Sequence, residues 1–164
     1  MTELIVETVI IGSNYVYAII IFMMGSKETI WADLQKGEFN MRRLRTRIDL
    51  AKYFNELGFK KGAEVGVCNG RYSQILCENI PNLKLLGVDN YRPYGGHGIH
   101  RLQSTQDDNL LVTREKVKGH DYSLLIGTSE QAAEWVEDES LDFVLLDADH
   151  SYEAVYKDIR LWAP

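Results

Sequence analysis

Ala63-Glu64-Val65-Gly66-Val67-Cys68-Asn69-Gly70 is the stretch that decides the fold of this chain. A short apolar segment runs into a loop that carries two glycines, and a helical pattern follows from Arg71. Glycines in such a loop let the backbone turn sharply and approach a ligand closely. The stretch is therefore typical of a strand–turn–helix unit at which a nucleotide-like ligand binds.

A second strand pattern, at 83–88, ends in an acidic residue, Asp89. It follows the glycine loop by roughly twenty residues, the spacing at which a carboxylate reaches the hydroxyls of a ribose. An ionised carboxylate can accept hydrogen bonds from both hydroxyls. Two simpler interpretations stay open: Asp89 could be a helix N-cap or a turn aspartate, and the glycine loop could be a tight turn without a ligand.

Helix and strand patterns alternate from Met41 onward. Strands are predicted at 63–67, 83–88, 122–126 and 141–146, and helices at 44–57, 72–78, 104–118, 130–136 and 151–162. This alternation predicts an α/β fold, a Rossmann-like parallel sheet with helices on both faces. We expect one domain over 41–164, preceded by an apolar N-terminal extension over 1–40.

Polar residues follow the fourth predicted strand where it ends. Asp147 leaves that buried strand directly, with Asp149 and His150 beside it. Ligands of parallel sheets bind beyond the carboxyl ends of the strands. Two carboxylates and an imidazole at this edge can hold a metal ion or accept a proton. The simpler alternative makes Asp149 or Ser151 a helix cap and His150 a surface residue.

Composition excludes some classes of partner. The 164 residues carry a formal net charge of −6, so no basic excess exists to bind nucleic acid. Two cysteines fit neither a disulfide framework nor a zinc site, which indicates a reducing cytoplasm. A local run of arginines alternates with apolar residues and predicts a solvated helix face, at Arg42, Arg43, Arg45 and Arg47.

The N-terminal extension has no charged residue from Thr8 to Ser26. Gly12-Ser13-Asn14 interrupts this run, which falls short of the roughly twenty apolar residues that span a bilayer. A membrane anchor stays open as an alternative, but a hairpin about Ser13-Asn14, or a poorly specified extension ahead of the domain, fits the pattern better.

The segment 90–103 is irregular. His97 and His100 lie in it without a third metal ligand, so we expect them to line a substrate entrance rather than to bind a metal. Tyr91 and Tyr94 could stack on a ring or anchor the loop. The tryptophans are expected to pack in the interior: Trp31, Trp135 and Trp162.

The glycine loop and Asp89 together resemble the class I S-adenosylmethionine-dependent methyltransferases. Residues 64–70 are similar to that family's first motif, Asp/Glu-x-Gly-x-x-x-Gly, and Asp89 to the acidic end of its second strand. Thr128 stands where the family has an acidic residue near the adenine, which leaves Ser129 as the candidate there. The resemblance implies a set of cofactor-binding residues: Glu64, Gly66, Asn69, Gly70, Asp89 and Ser129.

The segment 147–152, Asp-Ala-Asp-His-Ser-Tyr, is similar to a segment of cation-dependent O-methyltransferases and of sugar O-methyltransferases. The resemblance implies that Asp147 ligates a divalent cation such as Mg²⁺, which also holds the substrate hydroxyls. His150 replaces a lysine of the first group. Asp147 and His150 are therefore the candidate catalytic residues, and the implied reaction is methyl transfer to an oxygen of a small molecule or sugar.

That family continues with a Pro-Gly-Gly turn and a fifth strand, whereas this sequence stops at Pro164. We therefore expect a fold that lacks the last strands, with the strand at 141–146 as an open edge through which copies could pair. Two other functions stay open. One is a non-catalytic remnant that binds the cofactor or a partner. The other is a nicotinamide-dependent oxidoreductase. Cys68 argues against the oxidoreductase, because the dinucleotide-binding motif has a glycine at that position.

Overall fold

The computed structural model describes residues 5–10, 17–22, 46–94 and 102–162, the first two segments as backbone strands. The strands are β1 Ile5–Ile10, β2 Tyr17–Phe22, β3 Lys61–Val65, β4 Lys84–Asp89, β5 Tyr122–Ile126 and β6 Phe143–Leu146. The helices are α1 Arg47–Glu56, α2 Arg71–Asn79, α3 Gln103–Lys116, α4 Ser129–Ala133 and α5 Tyr152–Trp162.

These strands form one sheet in the order β1-β2-β6-β3-β4-β5. β6, β3, β4 and β5 run parallel to one another, while β2 is antiparallel to both β1 and β6. The four parallel strands alternate with helices along the chain, so the predicted Rossmann-like α/β fold is confirmed.

Two apolar cores cover the two faces of the sheet. Every residue of β6 is buried, because Phe143 and Leu145 point to one core and Val144 and Leu146 to the other. The first core includes residues of α1 and α2, and the second includes residues of α4 and α5. Burying each such large apolar side chain stabilises the fold by roughly 1.5–3 kcal/mol. Helices thus lie on both faces, as predicted.

The start of α1 is fixed by a capping box. Thr46 Oγ1 accepts a hydrogen bond from the Asp49 N–H (3.1 Å), and Asp49 Oδ2 accepts one from the Thr46 N–H (2.9 Å). Reciprocal bonds of this kind satisfy two of the donors that a helix start leaves open. Gly58, with a φ of +79°, follows the end of the helix. Because Thr46 is the N-cap, Arg47 is the first residue of α1.

The predicted open edge at 141–146 is wrong. β2 pairs along all of β6, from Ile19 opposite Leu146 to Phe22 opposite Phe143. A bare strand edge exposes a row of backbone N–H and C=O groups, and β2 satisfies them. Because Ile10 pairs with Tyr17, the predicted hairpin is confirmed in its two strands, while its turn at 11–16 lies outside the described residues.

Two strands of the sheet thus come from the predicted extension over 1–40, and the boundary at 40/41 stays a prediction. Within the described residues, no helix has the length and apolar character to cross a bilayer. The predicted interior position is confirmed for Trp162, which is buried, and wrong for Trp135, which is 81% exposed. Trp31 lies outside the described residues.

Candidate cofactor and catalytic site

Gly66 brings the glycine loop against the end of β6. Its φ is +96°, and its N–H donates to the Val88 carbonyl oxygen (2.8 Å). A Cβ added there would lie 2.6 Å from Ala148 Cα and would also meet the Asp147 backbone. Only glycine therefore fits. The loop is in direct contact with the segment that carries the candidate catalytic residues.

Gly70 has a φ of +68° and immediately precedes α2. A Cβ there would lie 2.9 Å from Thr113 Cα, so helix α3 packs directly on the loop. Thr113 Oγ1 donates to the Cys68 carbonyl oxygen (3.2 Å). Lys116 Nζ donates to the Asn69 carbonyl oxygen (2.9 Å). The outer side of the loop is thus held by α3, which the sequence had not indicated.

Asp89, the last residue of β4, is bonded to the same loop. Its Oδ2 accepts a hydrogen bond from the Cys68 N–H and its Oδ1 accepts one from the Tyr91 N–H, both at 2.8 Å. Asp89 therefore does stabilise a turn, as the alternative interpretation predicted. A carboxylate offers about four acceptor sites in all, so its two oxygens retain capacity for two ribose hydroxyls.

Tyr91 anchors the chain after Asp89. It is buried, has a φ of +47°, and its hydroxyl donates to Thr113 Oγ1 (3.1 Å). Of the two alternatives for this tyrosine, the structure favours the anchor. Tyr94 is exposed. The predicted substrate-entrance histidines, His97 and His100, lie outside the described residues.

Glu64 is enclosed in the core rather than open to the cleft. It is 1% exposed, and its carboxyl accepts a short hydrogen bond from the Ser73 hydroxyl, which lies 3.1 Å from the Tyr122 hydroxyl. Burial raises the pKa of Glu64 to about 8, so the group is mostly protonated at neutral pH. The structure does not bring Glu64 to the loop surface, and its cofactor role stays a prediction.

Ser129 also has partners away from the loop. It is the first residue of α4, and its hydroxyl accepts a hydrogen bond from Trp162 Nε1 (2.8 Å). Burial raises the pKa of Asp158, and an interaction with Ser129 acts to lower it. The preceding segment does approach the site, because the Gly127 N–H donates to the Asp89 carbonyl oxygen (3.1 Å). A role for Ser129 in adenine binding stays a prediction.

Asp147 and His150 are brought together as predicted. His150 Nε2 lies 3.2 Å from Asp147 Oδ1, and the side chain of Asp147 is only 13% exposed. Burial raises the pKa of Asp147, while the positive charge of Arg47 and the contact with His150 act to lower it. The two side chains form a polar pair beside the glycine loop.

Arg47 is the site residue that the sequence analysis missed. Its Nη2 lies 3.1 Å from Asp147 Oδ2, and its guanidinium carbon lies 4.8 Å from the centre of the Tyr72 ring. The prediction of a solvated face is wrong for Arg47, because the capping box begins α1 at this edge of the sheet. A Thr-x-x-Asp pattern at 46–49 was the available signal. Arg42, Arg43 and Arg45 lie outside the described residues.

The helix-cap interpretation is confirmed for Ser151, whereas Asp149 bonds the residue that caps the helix and is not itself the cap. Asp149 Oδ1 accepts a hydrogen bond from the Ser151 N–H (2.8 Å). Ser151 Oγ accepts one from the Ala154 N–H (3.3 Å) and thereby caps α5. Both bonds are local to the start of the helix. Of the predicted acidic cluster, Asp147 is thus the member that contacts the other site residues.

The residues around Asp147 do not fit a divalent cation. Within the described part of the chain, no group of three His, Cys, Asp or Glu side chains is arranged to hold a metal ion. More directly, the two oxygens of Asp147 contact a guanidinium and an imidazole. A cation site needs several converging oxygen or nitrogen ligands. The divalent cation therefore stays a prediction from the resemblance.

Comparison with known proteins agrees with the geometry. A family model described as "Methyltransferase domain" matches residues 63–164, which is more than half of the chain. A search of curated proteins found no match. The matched region begins in β3, one residue before Glu64, and includes the glycine loop, Asp89, Asp147 and His150. The chain belongs to this methyltransferase family and is a class I S-adenosylmethionine-dependent methyltransferase.

Proposed function

We propose that this enzyme transfers a methyl group to an oxygen atom of a small molecule or sugar. The observation that carries the proposal is the contact between Asp147 and His150 at the carboxyl edge of the sheet, beside the glycine loop. Such a pair can take a proton from a hydroxyl group, which an oxygen acceptor has to lose. The similarity of 147–152 to O-methyltransferase segments points the same way.

The proposed cofactor site is the glycine loop with Asp89. The positive φ values of Gly66 and Gly70 shape a loop that a ligand can approach closely. Asp89 would accept the ribose hydroxyls with the acceptor capacity that Cys68 and Tyr91 leave. When bound, S-adenosylmethionine supplies a methyl group that its sulfonium activates toward a nucleophile.

His150 is the proposed base. The Asp147 carboxylate can only accept a hydrogen bond, so Nε2 of His150 is the protonated nitrogen and donates to Oδ1. The other ring nitrogen, Nδ1, is then unprotonated and can accept a proton. Nδ1 takes the proton of the acceptor hydroxyl while the new carbon–oxygen bond forms and the carbon–sulfur bond breaks. Asp147 orients the imidazole and stabilises its positive charge after the transfer. Most of the rate enhancement would come from holding the two reactants in line.

We further propose that the acceptor is a small hydroxylated compound and that the enzyme acts in the cytoplasm. A net charge of −6 disfavours a nucleic acid as the acceptor and leaves small hydroxylated compounds as the better class. We assign no step to a divalent cation, because Arg47 already contacts Asp147. A cytoplasmic location is supported by two free cysteines, Cys68 and Cys77.

Methyl transfer can be assayed with isotope-labelled S-adenosylmethionine and separate panels of hydroxyl and amine acceptors, with products identified by mass spectrometry. We expect O-methylated products, and a kcat lowered about 10²-fold by His150→Ala. His120→Ala is the matched control, because that exposed histidine lies in the turn before β5. N-methylated products alone would contradict the proposal. Cofactor binding without transfer to any acceptor would favour the non-catalytic alternative.

A further inference from the structure

Asp147 is contacted from two sides. One oxygen, Oδ2, lies 3.1 Å from Arg47 Nη2, and the other, Oδ1, lies 3.2 Å from His150 Nε2. The bond from Arg47 spans one hundred residues of sequence, from the first turn of α1 to the end of β6. Neither side chain is fully exposed, with 27% of Arg47 and 13% of Asp147 accessible. Water therefore screens this ion pair less than it would a pair at the surface.

The position of Arg47 is fixed independently of Asp147. The capping box of Thr46 and Asp49 sets the start of α1, where Arg47 is the first residue. The guanidinium also lies over the ring of Tyr72, with 4.8 Å from its carbon to the ring centre, and Tyr72 is buried. A cation over an aromatic face gains a favourable interaction that grows as water is excluded. The guanidinium thus has two partners, the Asp147 carboxylate and the ring of Tyr72.

A divalent cation at Asp147 would compete with this arrangement. A metal ion bound to Oδ2 would lie only a few ångströms from the guanidinium, and two positive charges at that separation repel each other strongly in a partly buried site. It would also need further oxygen ligands. The neighbours of the carboxylate are instead an arginine and a histidine, and Asp149 makes a bond at the start of α5.

We infer that Arg47 takes the place of a divalent cation as the counter-charge of Asp147. It acts as a positioning residue, which holds Asp147 in the orientation that contacts His150. This inference rests on the proposed function for its catalytic meaning. Its structural content, that the guanidinium keeps a cation from Asp147, stands without any acceptor being known.

The test uses Mn²⁺ as the probe, with binding to the full chain measured by electron paramagnetic resonance. We expect no saturable binding up to millimolar Mn²⁺ by the wild-type protein. Arg47→Gln should bind Mn²⁺ at least tenfold more tightly, because Asp147 and His150 then form two adjacent donors without a positive neighbour. The added substitution Asp147→Asn should abolish that gain.

Arg114→Gln is the matched control, since it removes one positive charge from the exposed surface of α3 and should behave as the wild type. Saturable Mn²⁺ binding by the wild type that Asp147→Asn removes would overturn the inference. Equal, weak binding by wild type and Arg47→Gln, both folded by circular dichroism, would overturn it as well.

The catalytic part has its own readout. Arg47→Gln should lower kcat while leaving KM for S-adenosylmethionine unchanged, and Arg47→Lys should restore part of kcat because it keeps the charge. A merely structural role would change both parameters together and would show no rescue. Failure of the proposed function appears as absent transfer in every variant, whereas the Mn²⁺ result remains decisive for Arg47.

Discussion

At the scale of single residues, Gly66 is a position where the backbone conformation and the neighbouring atoms both require a glycine. Its φ of +96° disfavours any residue with a Cβ, and the backbone of Asp147 and Ala148 occupies the space that a Cβ would need. Gly66→Ala should therefore lower the free energy of unfolding by roughly 2–4 kcal/mol, from backbone strain plus overpacking. Urea denaturation measures this quantity.

Gly58 provides the control for that substitution. Its φ is +79°, but a Cβ there would have no other atom within 4 Å. Gly58→Ala should consequently cost only the left-handed strain, about 1 kcal/mol. Equal losses at the two positions would show that the close approach of the glycine loop to the end of β6 is not what makes Gly66 necessary.

The raised pKa of Glu64 predicts that the stability of the protein depends on pH. Its pKa is about 8 in the folded protein and near 4.5 in the unfolded chain, so between these values the folded state holds one proton more. The free energy of unfolding should therefore fall as pH rises from about 5 to 8, by up to about 1.4 kcal/mol for each pH unit. Above the folded pKa this decline should level off.

Glu64→Gln is the matching variant, because a neutral amide oxygen can still accept the hydrogen bond from Ser73. The difference in unfolding free energy between the two proteins should grow with pH over the same window. Asp147 and Asp158 also have raised pKa values, but they are present in both proteins and cancel in the difference. Parallel curves for wild type and variant would contradict a buried, protonated Glu64.

Some of these residues were predictable from sequence and others were not. Gly66, Asp89 and Asp147 stand at strand ends, and a strand end is a local feature of the pattern. The contact of Arg47 with Asp147 joins residues that are one hundred positions apart. Its formation depends on how α1 packs against the sheet. The Thr-x-x-Asp pattern at 46–49 indicates where α1 begins but not what lies beside its first residue, which is why the arginine was assigned to a solvated face.

At the scale of elements, helix α3 supports the glycine loop through Thr113, which is fully buried. Thr113→Val removes the bond to the Cys68 carbonyl and leaves the Tyr91 hydroxyl without its acceptor. We expect a loss of about 1–3 kcal/mol in unfolding free energy and a weaker affinity for S-adenosylmethionine, since buried polar groups left unpaired are costly. Denaturation and calorimetric titration measure the two effects.

Thr113→Ser is the control, because it keeps the hydroxyl and removes only a methyl group. It should bind S-adenosylmethionine nearly as tightly as the wild type. If Thr113→Val and Thr113→Ser weaken binding equally, the hydroxyl does not support the loop, and packing alone explains why a threonine is needed at this position.

The strands were predicted more accurately than the contacts between helices. All four parallel strands lie within two residues of the ranges expected from the apolar pattern. Two helices differ by three residues at one end: α1 begins at Arg47 although its pattern started at 44, and α4 ends at Ala133 although its pattern continued to 136. Trp135 extended the apolar pattern there, yet its side chain is exposed. Periodicity indicates that a helix forms but does not indicate what lies next to it.

At the scale of the whole molecule, the hairpin β1–β2 completes the sheet beside β6. The pairing joins residues 19–22 to residues 143–146, and the hairpin lies before the part of the sequence that resembles the methyltransferase family. Removing residues 1–22 should uncover the edge of β6, and bare edges pair with other chains. We expect the shortened protein to associate increasingly with concentration in sedimentation velocity, whereas the full chain should not. Identical sedimentation of the two would contradict this role.

The central claim is that the glycine loop and Asp89 form an S-adenosylmethionine site, and calorimetric titration of the full chain tests it most directly. Asp89→Asn is the informative variant, and Asp142→Asn its control. Like Asp89, Asp142 accepts two backbone N–H bonds, from Lys60 and Lys61, but it precedes β6 at the opposite end of the strands.

We predict saturable binding by the wild type and by Asp142→Asn, and an affinity at least tenfold weaker for Asp89→Asn, because an ionised acceptor of the ribose hydroxyls is lost. No saturable binding by folded wild-type protein, or equal affinity of wild type and Asp89→Asn, would contradict the account.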